Sequence, residues 1–147
     1  MELSDLPVPT TGILATHFVV ARDLESTTRF YSDVLGGEVV FDGTRIGPGV
    51  PNYVKLANIW IIVNVGGGPT PDKPDVILDV HDDPTRFDTF LNLRVADIHA
   101  VYGQWRARGA EFLTPPTDRG VELRCYLRDP DGHLIEVGQT TRIPERR

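Results

Sequence analysis

The sequence predicts an α+β fold made of two copies of one strand–helix–strand–strand–strand unit. Three observations carry this expectation. The apolar pattern alternates with period 2, switches to period 3.6 and returns to period 2, once in each half of the chain. Each helical pattern opens on an aspartate in N-cap position, Asp23 and then Asp97. A Gly/Pro-rich, acidic stretch, residues 66–88, separates the two halves.

The elements follow in order. Met1 to Thr11 is rich in Pro and Thr and reads as an N-terminal arm. Ile13 to Val20 is a strand that contains His17. Leu24, Thr27, Tyr31 and Val34/Leu35 recur at helical spacing, and Gly36-Gly37 closes the helix. Glu38 to Phe41 is a short strand and Thr44 to Pro51 a loop. Tyr53–Leu56 and Ile59–Val65 form a hairpin joined at Ala57-Asn58. The connector at 66–88 has three glycines, four prolines and several acids, with an extended piece at Val76–Val80. In the second half, Phe90–Val95 is a strand. Ile98, Val101, Tyr102 and Trp105 form a helical stripe that Gly109 ends. Glu111–Leu113 is a short strand and Pro115–Gly120 a loop. Val121–Leu127 and Leu134–Gly138 form a last hairpin around Pro130-Asp131-Gly132, a strong turn signal. Equivalent positions stay 72 to 75 residues apart: Tyr31 with Trp105, Gly37-Glu38 with Ala110-Glu111, Asn64 with Glu136. Two units are too few for a solenoid. They are expected to pair as one domain over residues 1–147, with module 1 about 12–65 and module 2 about 89–141. Their curved mixed sheets would form a cup with the helices outside.

Composition narrows the function classes. The 147 residues carry a net charge of −6, which argues against nucleic acid as a partner. No apolar run approaches membrane-spanning length, and the N-terminus lacks a signal pattern. A single cysteine, Cys125, cannot form an internal disulfide, so a cytoplasmic setting is expected.

The chemistry-bearing residues cluster in the second half. Glu136 stands where a half-buried strand would place an apolar residue, and a buried carboxylate needs a partner. That partner is either a metal ion or an arginine such as Arg94 or Arg124. Arg94, Arg124 and Tyr126 alternate with the apolar Leu93, Val95, Cys125 and Leu127. They therefore share a polar sheet face, suited to an anionic or carbonyl-bearing substrate or to an ion-pair network with Glu122 and Glu136. Trp60 shares a face with Ile62 and Asn64 and is either an aromatic wall or a packing residue. His81, His99 and His133 are not expected to be ligands.

These residues carry a family resemblance. Asp23-Leu24 through Phe30-Tyr31, Leu35-Gly36, and Asp129-Pro130-Asp131-Gly132 with Glu136 resemble the glyoxalase/bleomycin-resistance/extradiol-dioxygenase (vicinal oxygen chelate) superfamily, over about Thr11 to Thr141. The resemblance implies paired βαβββ modules, often as a homodimer, and a divalent metal (Zn, Fe, Ni or Mn) held by first and last strands of each module. Carried over by position, His17 and Glu136 are the ligands, with Asn64, or else Asn92, a third, amide ligand. Glu136 is also the candidate catalytic group. Asn92 joins Arg94, Arg124, Tyr126 and Trp60 as a substrate contact. The sequence departs from the pattern twice. Phe90 to Asn92 contains no His, Asp or Glu. His17 lies six residues before Asp23 where seven is common, and one residue of register turns a strand side chain to the other face, unless a bulge restores it. The resemblance thus implies either a metal-dependent lyase, isomerase or oxygenase acting on a small oxygen-bearing substrate, or a metal-free, antibiotic-sequestering protein of the bleomycin-resistance type.

Overall fold

The computed structural model describes residues 5–143; the first four residues of the predicted N-terminal arm lie outside them. The chain divides into two compact units between Asp82 and Asp83, inside the predicted connector. Among the described residues, no helix is long and apolar enough to cross a membrane.

The first unit runs β1 (His17–Ala21), α1 (Leu24–Arg29), β2 (Glu38–Phe41), β3 (Asn52–Leu56) and β4 (Ile59–Val65). Its sheet has the order β1-β4-β3-β2. β1 pairs parallel with β4, and the other neighbours are antiparallel. The parallel pair needs a crossover, and α1 provides it. Thr27, Phe30, Tyr31 and Leu35 are buried with Val54, Ile61 and Val63 of the sheet. A π-helical turn over Phe30–Val34 extends α1, with Leu35 N–H reaching back to Phe30 O at 3.1 Å. The Ala57-Asn58 hairpin is as expected, with Ala57 at φ 52° taking the left-handed turn position.

The second unit repeats this plan: β5 (Leu91–Arg94), α2 (Ile98–Ala107), β6 (Thr117–Asp118), β7 (Glu122–Arg128) and β8 (Leu134–Thr140), in the sheet order β5-β8-β7-β6. The architecture is α+β, with a βαβββ module in each unit. Ile98, Trp105, Cys125, Leu127, Ile135 and Val137 form the core between α2 and its sheet. The last hairpin turns at the Asp129–His133 segment, where Gly132 at φ 88° needs the freedom that glycine has.

Three expectations shift. β1 begins at His17 rather than Ile13, because its pairing with β4 starts there; Ile13 is 98% exposed. Glu111–Leu113 contributes one bridge, Phe112 to Leu127, and the outer strand of the second sheet is Thr117–Asp118. Pro115-Pro116 explains the break, since neither proline has an N–H for the ladder. The extended piece at Val76–Val80 is a single antiparallel bridge between Leu78 and Gly67.

Candidate functional site

Strand register builds a polar lattice on one face of the second sheet. β7 presents Glu122, Arg124 and Tyr126 on that face, while Leu123, Cys125 and Leu127 turn to the other. β8 presents Glu136, Gly138 and Thr140 there and sends Ile135 and Val137 to the core. Residues paired across the ladders then fall into rows. Asn92, Glu136 and Tyr126 form the first row. Arg94, Gly138 and Arg124 form the second, and Thr140 and Glu122 extend the face.

Glu136 is the centre of this lattice and is only 5% exposed. The Tyr126 hydroxyl donates to its Oε1 at 2.7 Å. The Asn92 amide donates to its Oε2. Arg94 Nη1 lies 3.6 Å from Oε2 and Arg124 Nε 3.9 Å from Oε1. Both oxygens are therefore engaged, which is what a buried carboxylate requires. Glu122 bridges the two cations. It takes a bond from Arg94 Nη2 at 2.5 Å and one from Arg124 Nη1 at 3.4 Å. Arg94 also donates to Thr140 Oγ1 at 3.1 Å. The arginines are the exposed members, at 45% and 30% of the side chain, against 7% for Glu136. Each guanidinium carries five donors in a rigid fork, so both retain N–H groups for a ligand. The Tyr126 hydroxyl has a raised pKa, chiefly because it donates to Glu136 and secondarily through burial; Arg124 opposes this. Burial pushes the Cys125 thiol up to about 11. It is therefore a core thiol, not a nucleophile.

The structure thus brings together Asn92, Arg94, Arg124, Tyr126 and Glu136. It treats the other candidates differently. Trp60 is 8% exposed; its indole donates to Asp5 O at 2.8 Å and Lys55 Nζ lies 3.5 Å from its ring centre. The Asn64 amide is used locally, donating to Gly49 O at 3.1 Å and accepting from Val65 N–H at 2.9 Å. His17 is in register with Ile61, whereas Asn64 is in register with Val20. With alternating side chains, His17 and Asn64 point to opposite faces of their sheet. The six-residue spacing before Asp23 is the cause, and no bulge interrupts the β1–β4 pairing that would correct it. The module correspondence shifts as well. His17 pairs with Ile61 and Leu91 with Ile135, so the first-module counterpart of Glu136 is Ile62, and Asn64 corresponds to Gly138.

These donors do not fit a divalent ion at Glu136. Within the second unit one of its oxygens accepts from a phenol and the other from an amide, and two guanidiniums stand within 4 Å. The two acids and two arginines sum to zero charge, so the cluster attracts a dication less than the two carboxylates alone would. Within the first unit, His17 and Asn64 cannot share one ion on one sheet face. A separate group, Asp129, Asp131 and His133, brings its ligand atoms within 4.8 Å of one another. There Asp129 Oδ1 accepts from the backbone N–H of Asp131 and of His133, each at 2.9 Å, and so holds the hairpin turn.

Sequence reasoning did not single out Gly138 or Thr140, and it placed Glu122 only as an ion-pair partner. The available signal was alternation carried across strands: once Glu136 faces the polar side, Gly138 and Thr140 do too.

Comparison with known proteins agrees with this architecture. The model of the Glyoxalase/Bleomycin resistance protein/Dioxygenase superfamily matches residues 13–137. A biphenyl-2,3-diol 1,2-dioxygenase 3 of Rhodococcus globerulus is 31% identical over 122 residues, 82% of this chain and 60% of that protein. The chain thus spans somewhat over half the length of that relative. The fosfomycin resistance protein FosX of Listeria monocytogenes superposes with a TM-score of 0.65 at 18% identity, over 90% of this chain and 96% of its own. A variant of it was solved with Mn(II) and 1S,2S-dihydroxypropylphosphonic acid. TnmS3, an antibiotic binding protein of Streptomyces sp. CB03234, superposes with a TM-score of 0.64 at 19% identity, over 91% of this chain and 100% of its own. At such identities the structural likeness concerns the fold. With the family model spanning both modules, the chain belongs to the glyoxalase/bleomycin resistance protein/dioxygenase superfamily.

Proposed function

We propose that this chain binds a small acidic or oxygen-rich molecule on the polar face of its second sheet, with Arg94 and Arg124 as the recognising groups and no metal on Glu136. The observation that carries this is the engagement of Glu136. Two side chains donate to the carboxylate, and it draws two arginines to within 4 Å. In this reading Glu136 is a positioning residue. Two guanidiniums flanking Gly138 supply planar, two-pronged recognition of a carboxylate, a phosphonate or paired oxygens. An antibiotic binding protein among the structural neighbours supports this reading; the neighbour solved with a phosphonate holds Mn(II) as well. The dioxygenase relative favours a second reading, in which a divalent ion on Glu136 would act as a Lewis acid on paired substrate oxygens.

A thermal-shift series separates the two. The full chain is titrated with methylphosphonate, small carboxylates and aromatic vicinal diols, each with and without EDTA. A ligand that binds only the native state raises the melting midpoint. The expected result is stabilisation by an acidic ligand that survives EDTA and is lost in Arg124→Met. Stabilisation that requires added Mn(II) selects the metal reading. A panel in which no acidic compound moves the midpoint overturns the proposal.

A further inference from the structure

We propose that Gly138 is a positioning residue: the side chain it lacks leaves the seat in which the Arg94 guanidinium lies. Arg94 and Arg124 are both paired with Gly138, one from each neighbouring strand. The middle of that row is therefore bare backbone between two cations. A Cβ at position 138 would stand 2.6 Å from Arg94 Cζ and 3.0 Å from its Nη2, with Nη1 closer still. These three guanidinium atoms are the nearest neighbours that such a Cβ would meet. Separations of that size are well inside the contact distance of about 4 Å between packed heavy atoms, so guanidinium and methyl exclude each other.

Backbone conformation does not explain the glycine. Gly138 is not among the glycines with positive φ, and it sits within the regular β7–β8 and β5–β8 ladders. Any L residue could adopt its backbone. What glycine supplies is room. From that seat Arg94 reaches Glu122, Thr140 and Glu136 together, at 2.5, 3.1 and 3.6 Å. A methyl lifts the guanidinium off the sheet and breaks this three-way hold. The displaced atoms are the far end of a flexible side chain, so the fold absorbs the change while the orientation of Arg94 does not. Gly138 therefore sets where one of the two recognising cations stands, and with it the spacing of ligand oxygens the face accepts.

The ligand part of this inference rests on the proposed function; the seating of Arg94 does not. Gly138→Ala, Arg94→Ala and the double variant are compared in the full chain by three readouts: arginine side-chain 15N NMR, urea midpoint and methylphosphonate affinity. In Gly138→Ala, the Arg94 Nε–H signal moves to the position of a solvent-exposed arginine while that of Arg124 stays. The urea midpoint drops, and affinity falls about tenfold or more, as for loss of an anchoring side chain. In the Arg94→Ala background, Gly138→Ala changes neither midpoint nor affinity, because the group whose atoms stand nearest to the added methyl is gone. Should Gly138→Ala fail to fold, a folded double variant supports the seat, and a double variant that also fails overturns it. An unmoved Arg94 signal, or an equal midpoint loss in both backgrounds, likewise overturns it. If the wild type binds no methylphosphonate, the functional reading fails, while the NMR and urea comparison still decides the role of Gly138.

Discussion

Glu136 holds a nearly closed position, and four donor side chains converge on it from the two flanking strands, β5 and β7. Removing one partner of a buried charge costs far more than an exposed ion pair is worth. Tyr126 is the cleanest place to measure this, since its 2.7 Å bond is the shortest full hydrogen bond to Oε1 and its ring can remain as phenylalanine. Tyr126→Phe should destabilise the chain by about 1.5 kcal/mol at pH 7, the lower end for a hydrogen bond to a charged group because the tyrosine is only half-buried. Urea denaturation reads this directly. The same residue sets an alkaline dependence. The fold raises the phenol above its ordinary 10.0 and the Cys125 thiol from 9.0 to about 11, so in both cases the unfolded chain ionises first. Stability from these groups is fully present below the unfolded values and is lost as pH rises through the raised ones. The deficit of Tyr126→Phe relative to the wild type should therefore shrink as pH climbs beyond 10.0. A deficit that grows with pH would show that the phenol is not held neutral.

The two helices occupy equivalent places and begin on equivalent aspartates, yet they are capped differently. Asp97 Oδ1 accepts from Ala100 N–H at 3.1 Å, and Gln139 Oε1 from β8 accepts from Ile98 N–H at 2.8 Å. Asp23 makes no side-chain capping bond to α1. Asp97→Ala should thus cost about 1 kcal/mol, and Asp23→Ala no more than a few tenths, when their urea midpoints are compared. Equal losses would contradict the difference in caps. Element order and both principal hairpins were legible in the sequence, because Gly, Pro and Asn mark their turns and the apolar period changes between them. The polar face was legible for the same reason: alternation alone sets Arg124, Tyr126 and Glu136 on one side. The face of His17 depends on a single residue of register, which pairing with β4 decides and local pattern does not. The outer strand of the second sheet was misplaced because a proline pair pushed its pairing to Thr117–Asp118. The Asp5 carbonyl that takes the Trp60 indole proton is 55 residues away, beyond any periodicity signal.

At the scale of the whole chain, one topology appears twice with different chemistry on its polar-side positions. The second module carries Asn92, Arg94 and Glu136 where the corresponding first-module positions are Phe18, Val20 and Ile62. The charged lattice belongs to one module only, although a repeat read from spacing suggested a ligand in each. Family membership was readable because the repeat and the Asp-Pro-Asp-Gly turn are constraints of the fold. The chemistry was less readable, because a glutamate in a strand serves a metal or a pair of arginines equally well until its neighbours are placed. On the proposed function, the arginines, Asn92 and Tyr126 take the carboxylate that a metal would otherwise need. A calorimetric titration of Mn(II) into the wild type and Glu136→Gln tests it most directly. The same Mn(II) stoichiometry and affinity are expected for both, with any binding at Asp129, Asp131 and His133 unaffected. Stoichiometric Mn(II) binding that Glu136→Gln abolishes would contradict it.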